Sequence, residues 1–337
     1  MVHLLLHIGT EKTGSTAIQQ WIKDNEDTLT SSSIGTLHAL GWPNAVKLAA
    51  ASSSFTHPRP LHAHQQITDT ASWEKFRKRL RRETARELRS SRRKRTVVVS
   101  NEHLSSQLRS QDDVDRLRDF FEGLVDTVEI VVYLRRQDRM AQSRYGTAIL
   151  AGSTSTDPFR AQGPGFSVYR YDELLERYAN AFSKSSVNAR IYDRIITADG
   201  GVIGDFLRVL NVDFDMKSGE PRSNRAIDPA ILQLLRQVNE RGPISRRARR
   251  SLQNVAKTFM AEPVESPPER AERFLEQFVS SNERLRSEWF PGLEAVFPEA
   301  AVPVASPIHP RPTGDSIEPS ESQSRLLAEF VARLAEG

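Results

Sequence analysis

A chain of 337 residues can bury a substantial core, and its length suggests one large domain with elaborations, or one domain plus a small appendage. Its composition, 38% apolar and 27% charged, is that of an ordinary globular protein, and no apolar run approaches the roughly 20 residues that span a bilayer. The absence of cysteine excludes disulfide frameworks, thiolate metal sites and cysteine nucleophiles and agrees with a cytoplasmic location, while the net charge of +4 is modest but unevenly distributed.

The start, from Met1 to Gly9, lacks a basic leader and a small-residue cleavage site, and Val2 to Ile8 reads as a first buried strand. A short polar loop ends at Gly14. From Ser15 onward Ala17, Ile18, Trp21 and Ile22 share one face at helical spacing, so the segment completes half of a βαβ unit. Residues 31–72 are rich in Ser, His, Pro and Ala with weak periodicity and are expected to be a surface insertion with at most a short helix. Trp73 to Arg95 predicts an exposed, strongly basic helix. The β-branched run Thr96 to Val99 then predicts a buried parallel strand, with Ser100, Asn101, Glu102 and His103 just past its carboxyl end.

Ser110 and Asp113 form a capping-box pattern ahead of a helix carrying Val114, Leu117, Phe120, Phe121 and Leu124. Val128 to Leu134 is the next strand, followed after Arg135 by a helix through about Leu150. A further helix carries Leu174, Leu175, Tyr178 and Phe182, and Val187 to Tyr192 is another strand. Ile203, Phe206, Leu207 and Leu210 predict a short helix, and Asp228-Pro229 an N-cap with a first-turn proline. The organisation expected is an α/β domain over residues 1–300 with a helical elaboration at 240–300, a Pro- and Ser-rich linker at 301–320 and a terminal helix at 321–337. Alternating strands and helices predict a mainly parallel central sheet flanked by helices in three layers, with ligands beyond the strands' carboxyl ends.

The strongest local signal is Gly9-Thr10-Glu11-Lys12-Thr13-Gly14-Ser15-Thr16, placed between a strand and a helix, where backbone N–H groups and a helix N-terminus cradle a phosphate-like anion. The pattern differs from the nucleoside-triphosphate loop G-x-x-x-x-G-K-[ST]: Ser15 stands where the phosphate lysine belongs, and the lysine comes earlier, at Lys12. A kinase or ATPase also needs a carboxylate beyond a strand to help hold Mg²⁺, and no Asp ends these strands.

Lys12 to Thr16 after one strand, with Arg135 and Ser143 eight residues apart after a later one, resembles the sulfotransferases that use 3′-phosphoadenosine 5′-phosphosulfate (PAPS), and most strongly their bacterial carbohydrate-type members. The resemblance covers about Val2 to Leu150 and extends more weakly through Tyr171 to Val238, where Arg190 to Arg194 and Asn224 to Asp228 are similar to the bacterial members. It implies a P-loop-type fold and a donor whose 5′-phosphosulfate is bound by Thr10, Lys12, Thr13, Gly14, Ser15 and Thr16. Arg135 and Ser143 would bind its 3′-phosphate, and a basic loop with Lys217, Arg222 and Arg225 would close over the nucleotide. A sulfuryl group in transfer carries a single negative charge, so a lysine and a ring of amides suffice without a metal.

Transfer needs a base facing Lys12. Glu102 is the first candidate and His103 the second, the family using Glu or His in this role; the alternative for Glu102 is a helix-start carboxylate that complements the dipole. His57, His62 and His64 lie close in sequence without carboxylates nearby, are read as part of the insertion, and no metal is assigned. The basic helix lacks interleaved aromatics and is not read as a nucleic-acid site. The acceptor is expected to be a glycan or another small hydroxyl compound, by resemblance, with peripheral membrane contact left open. Two alternatives remain: a P-loop phosphotransferase with a shifted lysine, and a non-catalytic anion- or nucleotide-binding protein.

Overall fold

Leu4, Leu5 and Leu6 offer no polar face, and they form the buried centre of a strand, β1 (His3–His7), covered on both sides by the rest of the domain. The computed structural model describes residues 1–56, 58–90, 95–159, 163–212, 226–261 and 268–298. After β1 come α1 (Ser15–Asp24), α2 (Glu26–Ser31), β2 (Ile34–Thr36), α3 (Val46–Ser52), α4 (Pro60–His64), α5 (Thr70–Ser90), β3 (Thr96–Ser100), α6 (His103–Gln107), α7 (Gln111–Phe121) and β4 (Thr127–Leu134). They are followed by α8 (Gln137–Ala151), α9 (Tyr171–Phe182), β5 (Val187–Ile191), α10 (Tyr192–Ile195), α11 (Gly201–Val209), β6 (Ala226–Ile227), α12 (Pro229–Glu240), α13 (Arg246–Ala256), β7 (Met260–Ala261), α14 (Pro268–Glu276) and α15 (Val279–Trp289). The chain divides into two units, the first comprising Met1–Arg136, Gly163–Ser218 and Val279–Pro298, the second Gln137–Gln162, Gly219–Phe278 and Glu299–Gly337.

The first unit is built on a five-stranded sheet in the order β2-β3-β1-β4-β5, every neighbouring pair parallel. One face of the sheet presents Leu5, Val98, Val131 and Tyr133 to Ile18 and Ile22 of α1 and to Val202 and Phe206 of α11. Alternation sends Leu4, Leu6, Val97, Val99, Ile130 and Val132 to the opposite face. There α9 lies against β4 and β5, and α7 packs on α9. This is the mainly parallel, helix-flanked α/β arrangement expected from the alternation of strands and helices.

Segment 31–72 is more ordered than its composition suggests. Ile34–Thr36 forms the edge strand paired with β3, and two helices follow. Every residue of α3 from Leu48 to Ser52 is buried. A small-residue helix buried all round has no polar stripe, so it leaves no periodic signal to read. His62, taken from sequence as part of a loose insertion, is buried in α4, where its Nε2 meets Ser53 Oγ at 2.9 Å and its Nδ1 accepts from Arg59 N at 3.0 Å. His57 lies outside the described residues. The basic helix α5 buries Phe76, Leu80, Thr84 and Leu88 along one face, so only its other side is exposed.

The predicted capping box is present: Ser110 accepts from Asp113 N and starts α7. In the second unit Asp228 accepts from Ala230 N at 2.8 Å with Pro229 in the first turn, as its sequence implied. Ile149, Ile231, Leu235, Ala256 and Phe259 make that unit's core, and β6 pairs antiparallel with β7. The 301–320 linker and the 321–337 helix lie outside the described residues.

Within the first unit Tyr133 Oη donates to Asp205 Oδ2 at 3.0 Å, and Arg190 makes a two-pronged ion pair with the same carboxylate. Burial and the neighbouring Asp205 charge hold the Tyr133 phenol far above its ordinary value, so it remains a donor. Removing the shared acceptor strands two donors beneath the sheet. Asp205→Ala is therefore expected to cost on the order of 3 kcal/mol, read as a lower urea midpoint at unchanged m-value; a loss below about 1 kcal/mol would show the pair to be dispensable.

Candidate functional site

The loop after β1 is held by β4. Ile8 N donates to Val131 O at 2.9 Å, Tyr133 N to Gly9 O at 2.7 Å, and Thr10 N to Tyr133 O at 2.9 Å, so pairing runs past the end of the strand. Gly9, Lys12 and Gly14 have φ of 96°, 65° and 83°. A Cβ on Gly9 would sit 3.0 Å from Glu102 Cα, and one on Gly14 would sit 2.7 Å from Val202 Cγ1. Both positions thus need glycine for conformation and for close approach.

Three of the predicted donor-binding side chains build the loop. Thr10 Oγ1 donates to Tyr133 O at 3.0 Å, and both Thr13 Oγ1 and Ser15 Oγ donate to Thr10 O, at 2.7 and 3.2 Å. Thr10, Thr13 and Ser15 are buried, whereas Thr16 is exposed on the first turn of α1. Gly14 caps α1 without a side-chain hydrogen bond, so the first-turn amides have no side-chain acceptor from the cap and point to the loop end of the helix, the arrangement that suits an anion.

Arg135 follows β4 and returns to this loop, its Nη1 donating to Lys12 O at 2.9 Å. Its guanidinium carbon lies 5.4 Å from the centroid of the Tyr192 ring, and its Nε is buried with no hydrogen-bond partner among the described residues. Tyr171 Oη fixes the Arg135 carbonyl at 2.7 Å. Lys12 and Arg135, 123 residues apart, therefore meet at one loop.

Glu102 stands beyond β3, against Gly9. Its carboxylate does not cap α6, although Glu102 occupies the N-cap position. It accepts instead from Gln19 Nε2 at 2.8 Å. Asn101 anchors the turn, with Nδ2 on Ala45 O at 2.8 Å and Oδ1 accepting from His103 N at 2.7 Å. The His103 Nδ1 is buried and lacks a hydrogen-bond partner among the described residues. Gln19 Nε2 also reaches Ser100 Oγ at 3.4 Å, and that hydroxyl meets His7 Nδ1 at 2.8 Å.

Ser143 lies on α8, in the second unit. Arg225, with Lys217 and Arg222, lies outside the described residues. Sequence reasoning missed Gln19, Asn101 and His7. Gln19 carried the one available signal, a polar residue between Ile18 and Ile22 on the buried face of α1. Among the described residues no group of three His, Asp or Glu is arranged to hold a metal ion, and no helix is long and apolar enough to cross a membrane.

No family model matches the chain. An uncharacterized protein of Archaeoglobus fulgidus is 30% identical over 175 residues, covering 48% of this chain and 46% of that protein, so the chain spans about half the length of the curated relative it matches. Similar solved structures are sulfotransferases. One, from Alicyclobacillus acidocaldarius, is 15% identical, with 84% of this chain and 94% of that one covered and a TM-score of 0.42. The sulfotransferase domain of the Synechococcus PCC 7002 olefin synthase is 16% identical, covering 77% and 94%, with a TM-score of 0.33. That of the curacin biosynthetic pathway is 14% identical, covering 82% and 96%, with a TM-score of 0.35.

His7 supplies a pH test of this region. Burial lowers its pKa from 6.5 to about 3, so the folded protein keeps it neutral. Between those values the unfolded chain binds a proton that the folded chain refuses, so stability falls as pH drops, by up to about 1.4 kcal/mol per pH unit. His7→Gln should remove that share of the slope, seen by comparing urea unfolding of the two proteins at pH 7, 6 and 5. Parallel slopes would mean that His7 titrates normally.

Proposed function

We propose that this protein is a sulfotransferase, moving a sulfuryl group from PAPS to an acceptor hydroxyl or amine. The observation that carries this reading is the Arg135 guanidinium on the Lys12 carbonyl, which brings a cation from the end of β4 to an anion-type loop at the end of β1. A donor with phosphate at both the 3′ and 5′ positions calls for two such groups, whereas a triphosphate chain does not. The Arg135 Nε, without a hydrogen-bond partner among the described residues, and the uncapped first turn of α1 are features such a donor suits.

In this reading Lys12 and the amides opening α1 bind the 5′-phosphosulfate, and Arg135 binds the 3′-phosphate. The acceptor oxygen or nitrogen attacks sulfur in line, forming the new S–O or S–N bond as the bond from sulfur to the bridging phosphate oxygen breaks. The acceptor proton passes to the Glu102 carboxylate, and the leaving 3′-phosphoadenosine 5′-phosphate (PAP) takes the electron pair, its charge stabilised by Lys12. Gln19 supports Glu102 in this role by presenting the carboxylate at a defined angle. His103 is the second candidate base, and a carbohydrate is the acceptor that the sequence resemblance favours. No metal takes part.

Calorimetric titration with PAP and with ATP is the direct test. PAP should bind more tightly; a preference for ATP would make the protein a phosphotransferase, and binding of neither would leave no donor site. Lys12→Ala should lose roughly 3 to 4 kcal/mol of transition-state stabilisation. Glu102→Gln should keep PAP binding and lower transfer from labelled donor by about 10²- to 10⁴-fold, and normal turnover would pass the role to His103, tested by His103→Ala.

A further inference from the structure

The outer face of α5 carries a second charged feature that shares no residue with the phosphate loop. Lys75, Lys78, Arg82, Arg86 and Arg89 recur at three- and four-residue intervals and so form one stripe, about 21 Å long at 1.5 Å per residue. All five are exposed, and among the described residues none has an ion-pair partner. Two of the helix's three acidic residues are engaged elsewhere, Glu83 with Arg79 at 3.9 Å and Glu87 with the backbone N–H groups of His38 and Ala39 at 2.8 and 2.9 Å, while the third, Glu74, is exposed and makes no ion pair among the described residues. The stripe lines a groove of about 750 Å³ whose far side includes Leu124.

We propose that this groove binds a linear acidic polysaccharide. Five unpaired cations in a row demand repeated negative charge, and the alternatives fit less well. A single-stranded nucleic acid is held by stacking on aromatic rings, and among the described residues none lines this groove: Phe76 is buried, and Trp73 Nε1 is bonded to Ala50 O at 3.0 Å. A duplex is gripped by an element that enters its grooves rather than by a cleft along one helix. An anionic bilayer is met by a flat or convex face with apolar side chains free to insert, and the apolar face of α5 is spent on the core. A narrow flexible chain bearing carboxylates or sulfates at each repeat can lie along the stripe, with its sugar faces against Leu124.

The experiment uses full-length protein with heparin and polygalacturonate as probes, a sulfated and a carboxylated chain, in about 0.1 M salt. Lys78→Glu/Arg82→Glu/Arg86→Glu should weaken polysaccharide binding on the order of 100-fold. Arg246→Glu/Arg247→Glu/Arg250→Glu on α13 makes the same change in net charge elsewhere and should leave binding intact. Equal loss in both triple variants, or no saturable binding of either probe, would overturn the site. Tighter binding of a 20-base-pair DNA or of phosphatidylserine vesicles, with the same dependence on α5, would overturn the ligand. Thermal melting checks that the α5 variant folds, and Lys78→Gln/Arg82→Gln replaces it if it does not. PAP titration of the same variant reports on the donor site separately, so either reading can fail without the other.

Discussion

The backbone of Tyr133 holds the loop that opens the site. By donating to Gly9 and accepting from Thr10 it extends the β1–β4 pairing beyond the strand end, and its carbonyl also takes the Thr10 hydroxyl. A loop tied at Gly9 and Thr10 has little freedom left, and Thr13 and Ser15 use their hydroxyls to close it on the Thr10 carbonyl. Pre-ordering matters because amides aimed at an anion stabilise it only if they need not reorganise when charge arrives. The Tyr133 side chain is fixed in turn by Asp205, so the same residue ties loop, sheet and α11 together.

Two residues further on, Arg135 exploits that placement. A strand turns alternate side chains to one face, so the chain that sends the Tyr133 ring toward α11 also directs Arg135 to the side on which the loop and Tyr192 lie. One guanidinium donor on the Lys12 carbonyl fixes the cation and leaves its remaining donors for a ligand. On the other flank, β3 brings Glu102 against Gly9, so closely that a Cβ on Gly9 would meet Glu102 Cα at 3.0 Å. Gln19 completes the arrangement from α1, so the helix that follows the loop also holds the Glu102 carboxylate. Its amide touches a buried polar chain through Ser100 to neutral His7, which keeps the Ser100 hydroxyl occupied without adding charge beneath the loop.

Much of this was legible because it depends on local chemistry. A strand of three leucines, glycines at fixed offsets, a Ser–Asp capping box and a β-branched run each announce an element, and Lys12, Glu102 and Arg135 fall just past three strands, β1, β3 and β4. What sequence concealed depends on tertiary partners. The Arg135–Lys12 contact spans 123 positions, and the role of Gln19 appears only once β3 lies beside β1. Thr10, Thr13 and Ser15 matched a ligand-binding pattern, yet their hydroxyl protons serve the loop itself, a distinction no spacing encodes. The segment around α3 was opaque for the opposite reason: small residues buried on all sides leave no alternation, and a three-residue edge strand containing Gly35 is too short to show one.

The basic run from Lys75 shows that charge in sequence is not one quantity. Arg77 donates to Arg116 O at 2.8 Å in the middle of α7, and Arg81 to Phe120 O at 3.1 Å at its C-terminal end, where a helix dipole favours a cation. Burial lowers the Arg77 pKa, the cost of using a guanidinium as an internal clamp. Their neighbours at Lys78, Arg82 and Arg86 make no hydrogen bond to a carbonyl among the described residues and lie exposed. Helical phase alone separates the two sets. The residues that turn toward α7 contribute to folding, and those a third of a turn away leave a field that folding does not consume, so a surface of this kind persists only at an electrostatic cost that an anionic partner would relieve.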